Sequence, residues 1–146
     1  MENNATNPQA PLCLALVLAD DIYRDTASGK RTILGTFSVI FSPEMPVTQG
    51  QLAVYCALTD GHGKTTIDLK LVRIDNDNMT DEPIAEARGE VDFVDPRMVV
   101  ELDLKLRGIV FPSAGEYRFQ IIGNGELLME RRLVVLHAIP EGEENG

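Results

Sequence analysis

The 146-residue chain has no tryptophan, two cysteines and two histidines, and its 13 Lys and Arg residues are outnumbered by 23 Asp and Glu. The net charge of −10 argues against nucleic acid as a partner, because affinity for phosphate backbones depends mainly on Lys and Arg. A basic stripe with interleaved aromatic residues is also missing. We therefore expect no nucleic-acid partner.

Long apolar runs are missing as well. The longest one, residues 12–19, has eight residues, whereas a transmembrane helix needs about 20. The first eleven residues, MENNATNPQAP, lack the basic and apolar regions of a signal peptide. These absences predict a cytoplasmic protein without membrane association. Cys13 and Cys56 lie in apolar runs, which predicts two buried, reduced thiols.

Signals of catalysis are weak. His62 and His137 lie far apart, and no local pair of His or Cys has the spacing of zinc ligands. Residues 63–66, GKTT, resemble the end of a phosphate-binding loop, but Leu58 occupies the position of its first glycine. A Gly-x-Ser-x-Gly sequence is also missing. We therefore expect a non-enzymatic protein without a cofactor.

Alternation of apolar and polar residues is abundant. Residues 100–107 read VELDLKLR, and only a β-strand places these leucines on one face and the charges on the other. Turn residues such as Gly123-Asn-Gly separate the alternating runs. The runs predict eight strands, near residues 12–19, 31–41, 51–59, 65–74, 83–93, 98–107, 115–122 and 126–136.

The predicted fold is all-β: a single, mostly antiparallel β-sandwich over residues 11–138. It is flanked by flexible tails, residues 1–10 and the acidic residues 139–146. Tyr117 follows Gly115 at a strand start and precedes a hairpin, as in the tyrosine corner of immunoglobulin-like domains. A C2-like strand order is equally compatible with eight strands, so both alternatives stay open.

Several longer segments resemble a known family. They are LVLADDIYRD at residues 16–25, TILGTF at 32–37, GEYRF at 115–119 and MERRL at 129–133. Together they are similar to a family of uncharacterised small bacterial all-β proteins, grouped as a domain of unknown function. The resemblance implies a bacterial source and a sandwich fold. It implies no activity and no site residues.

Acidic turns offer one candidate site. Asp75, Asp77 and Asp81 could gather around a calcium ion, as carboxylates do in some C2-like domains. An EF-hand is excluded, because Thr80 stands where that loop needs glycine. Calcium or ligand binding by acidic loops is therefore an alternative function.

Three strands are apolar on both faces, at residues 12–19, 52–58 and 133–136. A sandwich strand normally keeps one face polar, so these strands need a further cover. The cover is either a loop folded over the sheet or a second copy of the protein, and a homodimer is the preferred form.

Two of these strands supply interface candidates, as do the arginines beside them: Tyr55, Arg131, Arg132 and Val134. In an uninterrupted last strand one of the two arginines must lie among apolar side chains, whichever face is buried. It would either pair with a carboxylate or serve as an anion-binding or interface residue. The predicted function is a non-catalytic interaction or assembly module that acts through a sheet face or edge, by homodimerisation or through a protein partner.

Overall fold

The computed structural model describes residues 10–75, 78–79 and 83–138. These residues form strands and turns without a helix, so the all-β prediction is confirmed and no membrane-crossing helix occurs among them. The strands are β1 (Leu12–Arg24), β2 (Arg31–Thr36), β3 (Val39–Ser42), β4 (Val47–Thr59), β5 (Gly63–Asp75), β6 (Asn78–Met79), β7 (Ala85–Phe93), β8 (Val100–Phe111), β9 (Gly115–Gly123) and β10 (Glu126–His137).

The strands form two sheets. The first sheet has the order β2-β1-β4-β8, and the second has the order β3-β10-β9-β5, with β6 and β7 both paired to β5. Only the β3–β10 pair is parallel among the described strands. Both sheets contribute to one apolar core, in which Leu18 and Val54 of the first sheet and Leu69 and Phe119 of the second are almost fully buried.

The described residues form ten strands, whereas the sequence predicts eight. The predicted strand at residues 31–41 is two strands, because the chain leaves the first sheet after Thr36 and enters the second at Val39. Gly35 adopts a left-handed φ of 70° just before this crossing. The alternation in the sequence runs through the crossing without a break, whereas the buried face shifts there, so that Ile40 is buried and Phe41 is exposed. The two-residue strand β6 was also missed.

Two local predictions are confirmed. The buried Tyr117 hydroxyl donates to the carbonyl oxygen of Ser113 at 2.6 Å, as in a tyrosine corner. Asn124 and Gly125 both have positive φ, 48° and 84°, as a type I′ hairpin turn requires.

Candidate functional site

The tip of the β1–β2 hairpin lies across the outer face of the first sheet. Arg31 of β2 donates from Nε to Asp103 at 2.5 Å and from Nη1 to Glu101 at 3.1 Å, and both acceptors are on β8. In a flat sheet β2 and β8 would be about 14 Å apart, three strand spacings, because β1 and β4 lie between them. The hairpin must therefore bend over β4 to make these contacts.

A polar cluster, which we call the hairpin clamp, holds this arrangement: Arg31, Tyr55, Glu101 and Asp103. The Arg31 side chain is only 12% exposed, and the Tyr55 hydroxyl donates to the Glu101 carboxylate. Burial and this hydrogen bond to a carboxylate raise the pKa of Tyr55 to about 12. The phenol therefore stays protonated at neutral pH and acts as a donor.

The clamp explains why residues 52–58 are apolar on both faces. Ala53 and Ala57 point away from the main core, yet both are buried. Ile22, from the bent part of β1, is likewise buried outside that core. Part of the predicted cover is thus supplied by the chain itself.

The outer face of the second sheet carries an ion-pair network. Arg118 contacts Glu116 at 2.6 Å and Glu130 at 3.0 Å, while Arg132 lies 3.4 Å from Glu116. Gln120 donates to Glu130 at 2.8 Å. Most of the charges on this face are therefore paired with their neighbours.

At the β3 edge of the same face the surface becomes apolar. The parallel register places Val39 beside Val134 and Phe41 beside Leu136, and these four residues define what we call the edge patch. Phe41 is 53% exposed and Leu136 is 41% exposed. β3 pairs with β10 alone among the described strands, so its other side is a sheet edge.

Arg131 points the opposite way, into the space between the sheets. Its cross-strand neighbour is the buried Phe119, and its Nη1 donates to the carbonyl oxygen of Leu16 at 2.9 Å. Across the described residues it forms no ion pair with a carboxylate. The sequence predicted either an arginine paired with a carboxylate or a functional arginine here, and the described residues contain no such pair.

Two sulfur atoms are in contact in the core, those of Cys13 and Met129, and we call this pair the sulfur cluster. The Cys13 thiol lies 3.4 Å from the Ala15 carbonyl oxygen and 3.8 Å from the Met129 sulfur, and it can donate to either. Both cysteines are buried and free, as the sequence predicted. The hydrogen bond with Cys56 lowers the pKa of Cys13 to about 7, despite opposing burial, while the shared bond and burial raise the pKa of Cys56.

The four interface candidates from the sequence lie in three separate parts of the structure. Tyr55 is under the hairpin, Arg131 lies between the sheets, and Arg132 and Val134 share the outer face of the second sheet. Their role in an interface stays a prediction. The sequence did not single out Arg31, because its partners lie about seventy residues away.

The calcium candidates are placed only in part. Asp75 is exposed at the end of β5, whereas Asp77 and Asp81 lie outside the described residues. Within residues 10–75 and 83–138 no three His, Cys, Asp or Glu side chains are grouped to hold a metal ion. His62 is exposed in a turn, and His137 contacts the Pro43 carbonyl oxygen at 2.7 Å.

The described residues form a helix-free module of two facing sheets, with a common core and two small side-chain clusters. The family model of a family of unknown function, DUF6941, matches residues 14–136, and the chain belongs to this family. The resemblance seen in the sequence is thereby confirmed at the level of the family.

Other comparisons add little. No curated protein matches the chain. One similar solved structure is the alkylpurine DNA glycosylase AlkC of Pseudomonas fluorescens bound to abasic-site DNA, with 10% identity and a TM-score of 0.47. The match covers 68% of this chain and 28% of the glycosylase, so this chain spans under a third of that protein.

A second similar structure is an immunoglobulin-like protein from Pseudomonas aeruginosa, with 12% identity and a TM-score of 0.33. That match covers 81% of this chain and 90% of the other. Both scores lie below 0.5, so neither likeness bears on what this chain does.

Proposed function

We propose that this protein is a non-catalytic assembly module, an immunoglobulin-like sandwich that pairs with a second copy of itself through strand β3. The observation that carries the proposal is the edge patch, an apolar surface at a sheet edge that lacks charge. The mode of association is addition of a strand to an open edge.

The backbone of β3 has groups available for such pairing. Val134 N–H donates to the Ser38 carbonyl at 3.1 Å, and Ala138 N–H donates to the Ser42 carbonyl at 2.9 Å. Alternate residues of a strand direct their backbone groups to the same side. Val39 and Phe41 therefore direct theirs to the open edge.

The register of β3 suits a two-fold partner. If the symmetry axis passes through Ile40, antiparallel pairing places Val39 of each copy opposite Phe41 of the other. Each such pair exchanges two backbone hydrogen bonds, which gives four across the interface. The same patch then serves both copies, as an isologous dimer requires, and the two edge patches form one apolar surface.

The charges on the edge strands β7 and β8 support the choice of β3 over these two edges. Edge strands are normally protected from association by charged side chains. β8 carries Glu101, Asp103, Lys105 and Arg107, and β7 carries Glu86, Arg88, Glu90 and Asp92, whereas residues 39–42, VIFS, carry no charge. The net charge of −10 opposes dimerisation, so added salt should strengthen it.

Analytical ultracentrifugation of the full chain over the micromolar range tests the proposal. We expect a monomer–dimer equilibrium that shifts toward dimer with added salt. Phe41→Lys should give a monomer at every concentration. Val110→Lys, which charges a similarly exposed apolar side chain on edge strand β8, should dimerise like the unmodified chain.

Two outcomes would overturn this function. One is a chain that stays monomeric across the whole range at high salt. The other is a dimer whose stability Phe41→Lys leaves unchanged, because the interface would then lie away from β3. Circular dichroism of both variants establishes that the strands are intact.

A further inference from the structure

We propose that Arg131 is an edge-blocking residue, whose guanidinium occupies the open edge of β1 and thereby confines self-association to β3. The contact between Arg131 and the Leu16 carbonyl oxygen carries this proposal. The role rests on the proposed function, because it determines which edge of the sandwich accepts a second copy.

Part of β1 is an open edge of the first sheet. On one side the strand pairs with β4 from Leu12 to Ala19. On the other side it pairs with β2 only from Ala19 to Arg24. Among the described strands, therefore, none pairs with residues 12–18 on that second side. An edge of this kind is a template for pairing with another chain.

The composition of this edge is that of an associating strand. Residues 12–18 read LCLALVL and carry no charge. Leu12 and Leu14 are 54% and 52% exposed. The reasons that favour β3 over β7 and β8 therefore apply to this part of β1 as well, and something else must distinguish the two edges.

Hydrogen bonds from within the chain occupy the edge of β1. The Phe37 N–H donates to the Leu18 carbonyl oxygen at 3.2 Å, so Leu18 directs its backbone groups to the open side. Leu16 does the same, because alternate residues of a strand direct these groups to one side. From the other sheet, Arg131 Nη1 donates to the Leu16 carbonyl oxygen at 2.9 Å. An acceptor that an added strand would need is thus already bonded.

Charge and an irregular backbone add to this protection. Across the described residues Arg131 forms no ion pair with a carboxylate. If two copies paired through β1 about a two-fold axis near Leu16, both guanidiniums would lie at one interface and repel each other. The register with β4 also shifts between Cys13 and Ala15, and both bulges and inward-pointing charges protect edge strands. Residues 39–42 of β3, VIFS, have no such charge.

The test frees the edge of β1 in a chain whose β3 is already closed. Phe41→Lys alone should be a monomer, and adding Arg131→Met should restore a monomer–dimer equilibrium in analytical ultracentrifugation, with about a twofold rise in mass. Methionine keeps a long apolar stem but removes the donor and the charge. Arg131→Lys keeps both and should stay monomeric in the same background. Arg132→Met, which changes an exposed arginine on the outer face of the second sheet, is the matched control and should also stay monomeric.

A second-site change shows whether the new association uses β1. Leu14→Lys charges the freed edge and should return the Arg131→Met chain to a monomer, whereas association caused by poor folding would persist. Circular dichroism monitors the strands. Arg131→Gln takes the place of Arg131→Met if methionine disturbs them.

Failure of this role differs from failure of the proposed function. The role of Arg131 is overturned if Arg131→Met associates no more strongly than Arg131→Lys, or if Leu14→Lys leaves that association unchanged. The proposed function fails instead if Phe41→Lys does not weaken the dimer. In that case Arg131→Met should still raise the mass of the otherwise unmodified chain.

Discussion

Arg31 and Asp103 meet at 2.5 Å although two strands separate β2 from β8 in the sheet. This ion pair fastens the β1–β2 hairpin over the outer face of β4. A strand that reads as apolar on both faces is thereby covered on its second face by the chain's own hairpin. The contact gives the hairpin clamp a stabilising role that mutation can measure.

Arg31→Ala should lower the free energy of unfolding by about 1–3 kcal/mol, because it leaves the partly buried Asp103 carboxylate without its donor and removes one of the two donors to Glu101. Urea denaturation followed by circular dichroism measures this change. Arg88→Ala serves as the control, since it removes an exposed arginine paired with Asp68 and should have little effect. Equal stability of the two variants would contradict the clamp.

The clamp also predicts a dependence on alkaline pH. The folded chain raises the pKa of Tyr55 from 10.0 to about 12, so the protonated phenol favours the folded state. This stabilisation is complete below pH 10.0 and is lost as the pH rises toward about 12. Ultraviolet titration should show a tyrosinate signal centred near pH 12 that disappears in Tyr55→Phe. If the tyrosinate signal that Tyr55→Phe removes is instead centred near pH 10.0, the pKa of Tyr55 is not raised and the prediction is wrong.

Tyr117→Phe should destabilise the chain by about 1–3 kcal/mol, because it removes the hydrogen bond that the buried Tyr117 donates to the Ser113 carbonyl. Thermal unfolding is a suitable measurement. Tyr23→Phe removes the hydroxyl of an exposed tyrosine and should leave the melting temperature unchanged. If both variants have the melting temperature of the unmodified chain, the tyrosine corner contributes nothing to stability.

Gly61→Ala should be strongly destabilising, because a Cβ at this position would lie 2.3 Å from the ring of Phe93, which is buried. We expect a loss of about 1–3 kcal/mol in chemical denaturation. Gly50→Ala, where a Cβ meets nothing within 4 Å, should be tolerated. A tolerated Gly61→Ala would mean that the Phe93 ring can move aside.

Local patterns predicted the fold well where each strand stays in one sheet. Leu102 and Leu104 pack against the core and Leu106 is buried in it, as alternation required. Alternation failed at residues 31–41, because the chain changes sheets after Thr36 and the buried face shifts by one residue, so that Ile40 is buried and Phe41 is exposed. Side-chain periodicity predicts which residues share a face within one strand, and it does not predict where the chain passes to another sheet.

The site was less predictable than the fold. Arg131 was recognised because an arginine within an apolar strand needs a partner, and the last strand indeed turns it inward. The sulfur cluster could not be found in the same way, because Cys13 and Met129 are 116 positions apart. Contacts of this kind depend on how the two sheets are superposed, which no local pattern specifies.

The order of synthesis gives the hairpin clamp a further consequence. Arg31 leaves the ribosome about seventy residues before Glu101 and Asp103, so its binding partners do not yet exist when the hairpin first forms. Until β8 emerges, the hairpin lacks the ion pairs that fasten it over Ala53 and Ala57. A nascent chain that folds as it is made would therefore expose the apolar outer face of β4 until β8 is complete.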